Sequence, residues 1–520
     1  MSGRVFLLFV ILNVVAGVVF LSDCGPGFPL DDTWVHMVYA RALGHGEGFA
    51  YNPGQLETGI SAPLWTTLLA VPVAIADLLG QRPDLLVRLF SGLTGLAMAV
   101  VAWRLASPSG RWPATCAALA MTFDPLLVFE RYSGMEQPLF GLITLLLVDA
   151  MLSKRAASAG LLSGLLILTR PEGLLFAAIA GLWMLRQRQP ILPFIGRVAL
   201  CVAPWLLYCQ VVADSPLPAT VVNKAAFVPH WQPLWRALSA LFAETGWGWA
   251  LPLTAAMGLY VLEGGRRNLG RLPLALGLIL LPAVLLSRSI ETYGAPPQVP
   301  YYWARYAFLA WPLVLFVASV GVASMVRTAY AGTRCQPVFA ALLIGPALVM
   351  AVLGRDLPAQ GVRLSRSFAA QCSDVETLNV SSALWVAENL PADALVLSHD
   401  AGALRFFGQH RVLEIWGNHN TTLRHILDQQ GGVGVGEWIQ SQDPDALVVF
   451  PTLFARNHAP DEWKQLFTML PTQEYDALYA QADDYASLLG LTRRVARFHV
   501  DEPTVVPSPL HSDMVVFVRP

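Results

Sequence analysis

Apolar residues form long runs up to about residue 354, and the runs become short and scattered beyond it. A membrane-crossing helix needs about 20 predominantly apolar residues. Twelve runs approach that length, over residues 5–22, 61–79, 85–106, 113–129, 138–153, 156–169, 173–185, 198–213, 246–263, 272–287, 306–326 and 337–353. The pattern predicts a helical membrane domain over 1–354, a linker over 355–371 and a water-exposed domain over 372–520.

The last of these regions alternates helical and β-rich runs. Residues Ala383–Asn389 have a helical pattern, and Ala394–Ser398, Ala446–Phe450 and Met514–Val518 are short runs rich in β-branched and apolar residues. Short apolar runs bounded by polar residues are typical of strands. The C-terminal region is therefore predicted to be a small α/β domain.

The distribution of basic residues selects a topology, because loops on the cytoplasmic side carry an excess of Lys and Arg. If 61–79 lies on the outer surface, thirteen basic residues between Arg4 and Arg334 fall in inner loops, whereas a crossing segment would leave only Arg4 inside. We therefore predict eleven transmembrane helices and an outer C-terminal domain. The predicted outer loops are 23–84, 130–137, 214–245 and 288–305.

Composition narrows the class of protein further. The chain of 520 residues is 55% hydrophobic and only 13% charged, and its mean hydropathy is +0.51, whereas soluble domains carry about 25% charged residues. A net charge of −2 excludes the basic surface typical of nucleic-acid-binding proteins. The six cysteines lack the paired spacing of zinc sites and the density of a disulfide scaffold.

An acidic pair in the first outer loop is the leading candidate for chemistry. Asp31 and Asp32 stand at the start of a helical pattern that continues through Arg41. One aspartate is enough to cap a helix, so the second indicates a base, a metal ligand or a hydroxyl-binding group. Capping alone is the structural alternative.

Other charged residues stand near predicted membrane edges. Glu136 lies in the second outer loop, and Arg170 lies in a break, Thr169–Gly173, between two short apolar runs. Lys224 and Arg305 flank later runs, where such side chains either extend to lipid head groups or bind a lipid phosphate. His36, His45 and Glu47 match no metal-ligand spacing, so we expect ordinary hydrogen bonding there.

Several segments then resemble one family. In chain order, GEGFAYNPG, ETGISAPLW, SGMEQPLF, LTRPEG, LPATVVNK and WARYAFLAWP resemble segments of the GT-C glycosyltransferases, membrane enzymes that use polyprenyl-phosphate sugars. The run from Asp400 to Gly408 resembles a D-x-G-A-x-x-Y-F segment of that superfamily, with Phe406 in place of its tyrosine and Glu414 in place of a later aspartate. The resemblance covers about residues 20–420. It is greatest to the mycobacterial terminal arabinofuranosyltransferases, and less to protein mannosyltransferases and lipid A aminoarabinose transferases.

The resemblance implies a mainly α, polytopic GT-C fold with an extracytoplasmic α/β domain. It also implies transfer of a sugar, of arabinofuranosyl or mannosyl type, from a polyprenyl-phosphate donor to a hydroxyl group. The acceptor would be a glycan, lipid or protein at the outer face of a bacterial inner membrane, in cell-envelope synthesis, and a single displacement would invert the sugar. We expect membrane lipid as a further partner, no nucleic acid, no cofactor and no obligatory metal, although some GT-C enzymes bind a divalent ion.

The resemblance also implies roles for individual residues. Asp31 would be the base with Asp32 next in line, and Glu136 would orient the acceptor or support the base. The donor phosphate would be held by Lys224, Arg305, Tyr306 and Arg170. Acceptor contact or loop support would come from Trp34, His36, Tyr51 and Glu57.

Two non-enzymatic alternatives remain: a polytopic transporter and a non-catalytic protein that binds lipid-linked sugars. Transporters often show internal repeats and charged residues near the membrane midplane. The chain shows no repeat, and its charged residues cluster towards one predicted face. The enzyme is therefore the preferred interpretation.

Overall fold

The computed structural model describes residues 3–223, 309, 311–331, 357–451, 482–483, 485–500 and 513–520. Contacts divide the chain into two compact units. The first, here called the helical unit, comprises Met1–Asp23, Arg88–Ala203 and Phe227–Ser367; the second, the mixed unit, comprises Cys24–Val87, Pro204–Ala226 and Phe368–Pro520. The mixed unit thus combines the first predicted outer loop with the C-terminal region, although 280 residues separate them along the chain.

Sixteen α-helices lie in the described ranges. They are α1 (Gly3–Phe20), α2 (Asp31–Gly44), α3 (Pro63–Leu78), α4 (Asp84–Ala106), α5 (Arg111–Phe123), α6 (Pro125–Tyr132), α7 (Gln137–Leu152), α8 (Ala156–Thr169), α9 (Gly173–Arg186), α10 (Ile191–Ala213), α11 (Ala219–Asn223), α12 (Trp311–Ala331), α13 (Leu357–Val375), α14 (Ser381–Asn389), α15 (Gly402–Gly408) and α16 (Thr421–Ser441). The mainly helical architecture predicted from the apolar runs is confirmed. The predicted linker, 355–371, is helical from Leu357 onwards.

Within the described ranges, α1, α4 and α10 are long and apolar enough to cross a membrane, and the bent pair α5–α6 adds a fourth candidate if it counts as one span. Five segments predicted to cross or lie on the membrane are apolar but shorter: α3, α7, α8, α9 and residues Trp311–Ala323 of α12. The predicted runs 246–263, 272–287 and 337–353 lie outside the described residues. The count of eleven spans therefore stays a prediction.

The run 113–129, predicted as one straight span, is broken between α5 and α6 with a bend of 51°. Pro125 has no backbone N–H to continue the helix. Asp124 then caps α6 by accepting a hydrogen bond from the Leu127 amide at 3.1 Å, and it also accepts one from the Trp311 indole at 3.1 Å. A proline and an N-capping aspartate therefore replace one long helix by two.

The break predicted at 169–173 is present, since α8 ends at Thr169 and α9 begins at Gly173. A Cβ atom built on Gly173 would lie 2.4 Å from the carbonyl carbon of Leu166. Only glycine allows the chain to return so close to the preceding helix.

The C-terminal part of the mixed unit contains a five-stranded sheet of order β4-β3-β5-β7-β6. The strands are β3 (Leu395–Ser398), β4 (Arg411–Glu414), β5 (Ala446–Val449), β6 (Arg493–His499) and β7 (Asp513–Val518). Strand β3 pairs in parallel with β4 and β5, whereas β7 pairs antiparallel with β5 and β6. The three strands predicted from apolar runs are all present. Edge strands β4 and β6 were not predicted, because β4 has a charged residue at each end and β6 is largely polar, and charged side chains are common on sheet edges.

The first loop of the mixed unit contains α2, a small hairpin and α3. The hairpin strands are β1 (Ala50–Asn52) and β2 (Gln55–Leu56). Helix α3 begins with Pro63 and packs against α2, burying Trp65, Leu69 and Val73 while leaving other apolar residues exposed. Its 16 residues fall short of a typical membrane crossing. Since α7, α8 and α9 are no longer than α3, the surface position of 61–79 stays a prediction.

Candidate functional site

The predicted acidic pair stands at the first turn of α2, but its two members have different surroundings. The N-cap position is Leu30 rather than an aspartate, so both carboxylates follow the cap. Their negative charges are stabilised there by the positive end of the helix dipole. Asp31 is only 7% exposed, whereas Asp32 is exposed. Asp32 is therefore the member of the pair that solvent reaches.

Asp31 is held by backbone donors from the C-terminal domain. Its two carboxylate oxygens accept hydrogen bonds from the amides of Gly402, at 2.6 Å, and Ala403, at 2.8 Å. These amides belong to the first turn of α15, where backbone N–H groups lack partners within the helix. The first outer loop is thus tied to a segment more than 370 positions later in the chain.

A second carboxyl group, that of Asp400, is hydrogen-bonded to Asp31. Asp400 also accepts a hydrogen bond from the Asn379 side chain at 2.7 Å. Burial and the neighbouring charge of Asp31 raise the pKa of Asp400 well above its ordinary value. Burial raises the pKa of Asp31 too, although the amides of Ala403 and Gly402 act in the opposite direction.

The four residues predicted for acceptor contact or loop support are buried and have specific partners. Trp34 packs against Phe28 and against two phenylalanines of α15, and the ring of His36 lies 2.8 Å from the Thr66 hydroxyl. The hydroxyl group of Tyr51 donates to the Ala401 carbonyl at 2.7 Å. These side chains therefore support the loop, and they do not form a surface open to an acceptor.

Glu57 completes this set. Its carboxylate accepts hydrogen bonds from the amide and the hydroxyl group of Thr421, at 3.0 Å and 2.6 Å, so it joins the loop to the start of α16. Burial raises its pKa above the ordinary value. Two residues later, the backbone of Gly59 packs closely against that of Asn418: a Cβ atom built on Gly59 would lie 2.1 Å from the Asn418 carbonyl oxygen.

The helical unit holds the other predicted charges in an ion-pair cluster. Arg170 donates to Glu136, and it also donates to Glu172 through two bonds of 3.2 Å and 2.9 Å. Glu136 is 1% exposed, so its charge is neutralised by Arg170 rather than by water. The guanidinium of Arg170 is already engaged by two carboxylates, which makes it a poor receptor for an additional phosphate.

Arg131 of α6 is also buried in the helical unit. Its guanidinium donates to the side-chain oxygen of Asn13 at 3.1 Å and to the Met121 carbonyl at 2.8 Å. These bonds join α1, α5 and α6. Arg131 therefore has a packing role in the helical unit.

Comparison with known proteins identifies the architecture. The model of a domain of unknown function (DUF8728) matches residues 370–496, and no curated protein matches the chain. ArnT from Cupriavidus metallidurans, solved with undecaprenyl phosphate bound, superposes with a TM-score of 0.55 at 13% identity, over 99% of this chain and 98% of ArnT. The archaeal oligosaccharyltransferase AglB from Archaeoglobus fulgidus, in complex with an inhibitory peptide and a dolichol-phosphate, gives 0.54 at 10% identity, over 88% of this chain and 71% of AglB. The chain has the GT-C fold.

The GT-C fold is that of multi-pass membrane proteins, which agrees with the apolar helices described above. The mycobacterial arabinofuranosyltransferase AftD matches at 15% identity with a TM-score of 0.49, over 86% of this chain and 36% of AftD. The greater likeness to the arabinofuranosyltransferase branch, predicted from sequence motifs, stays a prediction.

Three of the predicted phosphate-binding residues, Lys224, Arg305 and Tyr306, lie outside the described residues. Among the residues that the structure describes, no group of three or more His, Cys, Asp or Glu side chains is arranged to hold a metal ion. The expectation of no obligatory metal is not tested by this observation.

Sequence reasoning on this GT-C chain missed the residues that surround Asp31. Asp400 and Gly402 were noticed only as part of a family-like segment, and Asn379 carried no signal at all. An aspartate followed by two small residues directly after a strand was the available clue, because small residues permit close backbone approach.

Glu414 was likewise noted only as a departure from the family pattern. Its buried carboxylate accepts hydrogen bonds from the amides of Trp416, Asn418 and His419, at 2.8, 2.8 and 3.3 Å. Burial nevertheless raises its pKa to about 7. The turn it organises places His419 against Tyr51, with ring centroids 4.6 Å apart.

Proposed function

We propose that this protein is a GT-C glycosyltransferase that moves a sugar from a polyprenyl-phosphate donor to an acceptor hydroxyl group. The observation that carries the proposal is the acidic pair at the start of α2. One member is fixed by backbone amides and the other is exposed. The fold supports it, since ArnT and AglB have been solved with undecaprenyl phosphate and a dolichol-phosphate.

The reaction needs one proton acceptor. The acceptor oxygen forms a bond to the anomeric carbon, the bond from that carbon to the phosphate oxygen breaks, and polyprenyl phosphate leaves with the electron pair. The proton of the acceptor hydroxyl passes to a carboxylate. We assign this role to Asp32 because it is exposed, and we assign to Asp31 the orientation of the pair, which reverses the order expected from the sequence.

The leaving phosphate gains negative charge and needs cations at the membrane boundary. We propose Arg305 and Lys224 for this role, with Tyr306 as a further contact, because a guanidinium can bind two phosphate oxygens at once. Arg170 is bound to two carboxylates, so we propose that it fixes Glu136, which supports the acceptor side. No metal or other cofactor is part of the proposal.

The finer assignments rest on the sequence resemblance. We propose an arabinofuranosyl or mannosyl-type donor, an acceptor of the cell envelope and a site on the outer face of a bacterial inner membrane. A single displacement at the anomeric carbon would invert its configuration.

The test is transfer by the purified protein from a panel of labelled polyprenyl-phosphate sugars. We expect Asp32→Asn to lower the rate by about 10²–10⁴-fold, the usual effect of losing a general base. Binding of undecaprenyl phosphate should be retained in this variant and weakened in Arg305→Ala. Asp23→Asn, which removes an exposed carboxylate just beyond α1, is the matched control.

Full activity of both Asp31→Asn and Asp32→Asn would contradict the proposal. Activity lost only in Asp31→Asn would return the base to Asp31 and leave the reaction class intact. Binding of labelled lipid-linked sugars without transfer to any acceptor would instead favour the non-catalytic alternative.

A further inference from the structure

The start of α15 fits against the acidic pair without spare room. A Cβ atom built on Gly402 would lie 2.4 Å from the backbone oxygen of Asp31 and 2.8 Å from the amide nitrogen of Val35. Any side chain at position 402 would therefore push α2 away from α15. Glycine at this position is what allows the amides of Gly402 and Ala403 to reach both oxygens of Asp31.

Asp400 is fixed by its own neighbours just before this turn. It follows β3, and the Ser398 hydroxyl group bonds both its amide, at 3.2 Å, and its carbonyl oxygen, at 3.0 Å. The Asn379 amide donates to its carboxyl group at 2.7 Å, and Tyr51 binds the next carbonyl along the chain. The side chain of Asp400 is therefore held towards Asp31 by the C-terminal domain.

Two carboxyl groups in hydrogen-bond contact need a proton between them, because two adjacent buried charges repel strongly. Asp31 has two backbone amides that favour its charged form, whereas Asp400 has a single neutral amide donor from Asn379. These donors favour a charged Asp31 and a protonated Asp400. The direction of its pKa, well above the ordinary value because of burial and the charge of Asp31, agrees with this assignment.

We propose that Asp400 is a positioning residue of the transfer site: it donates a hydrogen bond to Asp31 and so fixes the turn that presents Asp32. The proposal rests on the proposed glycosyltransferase function. It makes the C-terminal domain, the part that matches a domain of unknown function, a component of the site rather than an appendage.

A purely structural tie predicts something different. If Asp400 only joined two parts of the fold, its removal would lower the amount of folded protein without changing how activity depends on pH. A proton shared with Asp31 must be lost at high pH, and two charges would then face each other beside Asp32. The ionisable groups that face Asp400 are Asp31 and Asp32 on α2 and Tyr51 on β1, while Asn379 is neutral.

The first arm of the test measures transfer against pH for three variants. Asp400→Asn keeps an N–H donor but cannot ionise, so we expect a small loss of activity at neutral pH and no alkaline decline, whereas the unmodified protein should lose activity as Asp400 ionises. Asp400→Ala should fall by about 10²-fold, since small displacements of reacting groups have effects of that size. Asp445→Asn is the matched control, because Asp445 binds the amide of Leu395 at the opposite end of β3. Its profile should be unchanged.

The second arm measures hydrogen exchange of the first turn of α2 and needs no substrate. Asp400→Ala should speed exchange there by about tenfold, the effect expected from losing one buried hydrogen bond, whereas Asp400→Asn and Asp445→Asn should not. Unchanged exchange in Asp400→Ala, or an alkaline decline retained in Asp400→Asn, would overturn the proposal. If no donor is used by the unmodified protein, the glycosyltransferase assignment fails and the exchange arm still decides whether Asp400 holds the pair.

Discussion

In the helical unit the buried carboxylate of Glu136 is held by the guanidinium of Arg170, whereas in the mixed unit that of Asp31 is held by two backbone amides and a second carboxyl group. An arginine stays charged throughout the accessible pH range, so its pairs do not depend on proton exchange. Carboxyl groups held by amides and by each other keep the ability to gain or lose a proton.

Buried carboxyl groups therefore have different roles in the two units. The Glu136–Arg170–Glu172 cluster fixes the break between α8 and α9, where backbone and side chains leave the regular helix. The Asp31–Asp400 pair places titratable groups beside the exposed Asp32, and Glu414 is a further buried carboxyl group of the same unit. We therefore expect stability in the helical unit to depend on Arg170, and pH sensitivity to arise in the mixed unit.

The largest effect should follow from removing the cation of the helical unit. Arg170→Ala removes the guanidinium that binds two carboxylates, one of them almost fully buried. Breaking a buried ion pair on one side costs about 3–5 kcal/mol, so thermal unfolding in detergent should occur at a much lower temperature. Arg104→Ala, which removes a mostly exposed partner of Asp149, should cost less than about 1 kcal/mol. Equal losses in the two variants would contradict the comparison.

The mixed unit should lose stability as pH rises through the titration of Glu414. Its pKa is raised from 4.5 to about 7 in the folded protein, so the folded state binds the proton more tightly than the unfolded state. The resulting stabilisation is fully present below pH 4.5, declines between 4.5 and 7, and amounts to about 3 kcal/mol at most. Unfolding temperatures measured from pH 4 to pH 8 should show this decline.

Glu414→Gln should flatten that pH dependence, and the slope that remains would belong to Asp31, Asp400 and Glu57. Asp393→Asn, which changes an exposed carboxylate before β3, should leave the slope as it was. A slope that is identical in Glu414→Gln would mean that this carboxyl group is already ionised in the folded protein.

The smallest effect should come from one methyl group at the contact between α15 and α2. Gly402→Ala should destabilise the protein by about 1–3 kcal/mol, as expected for overpacking, although alanine is the better helix former. Gly436→Ala in α16 is the control, since a Cβ atom there meets nothing within 4 Å. It should be neutral or stabilise by about 0.5–1 kcal/mol. Equal unfolding temperatures for the two variants would contradict the tight fit at Gly402.

Local chemistry allowed much of the fold to be predicted. The apolar runs predicted α1, α4 and α7–α10, and the break at Arg170 followed from Pro171 and Gly173. Prediction from apolar runs failed at two places. Pro125 and Asp124 divide the run 113–129 into two helices, and strand β6 is so polar that its sequence resembles a loop. The break at Pro125 is local, since a proline and a capping aspartate are sufficient for it, whereas β6 is selected by its pairing with β7 rather than by its hydrophobic pattern.

The site shows the same division. The sequence by itself determined that two aspartates follow the first apolar helix, that a glutamate precedes α7 and that an arginine interrupts the next pair of helices. Only the tertiary structure decided that Arg170 pairs with Glu136, that Asp31 is the buried member of its pair, and that Asp400 lies against it. Hydrophobic periodicity reports which face of a segment is buried, whereas hydrogen-bond partners depend on where distant segments meet, and the meeting of α2 with the turn after β3 leaves no periodic signal in either segment.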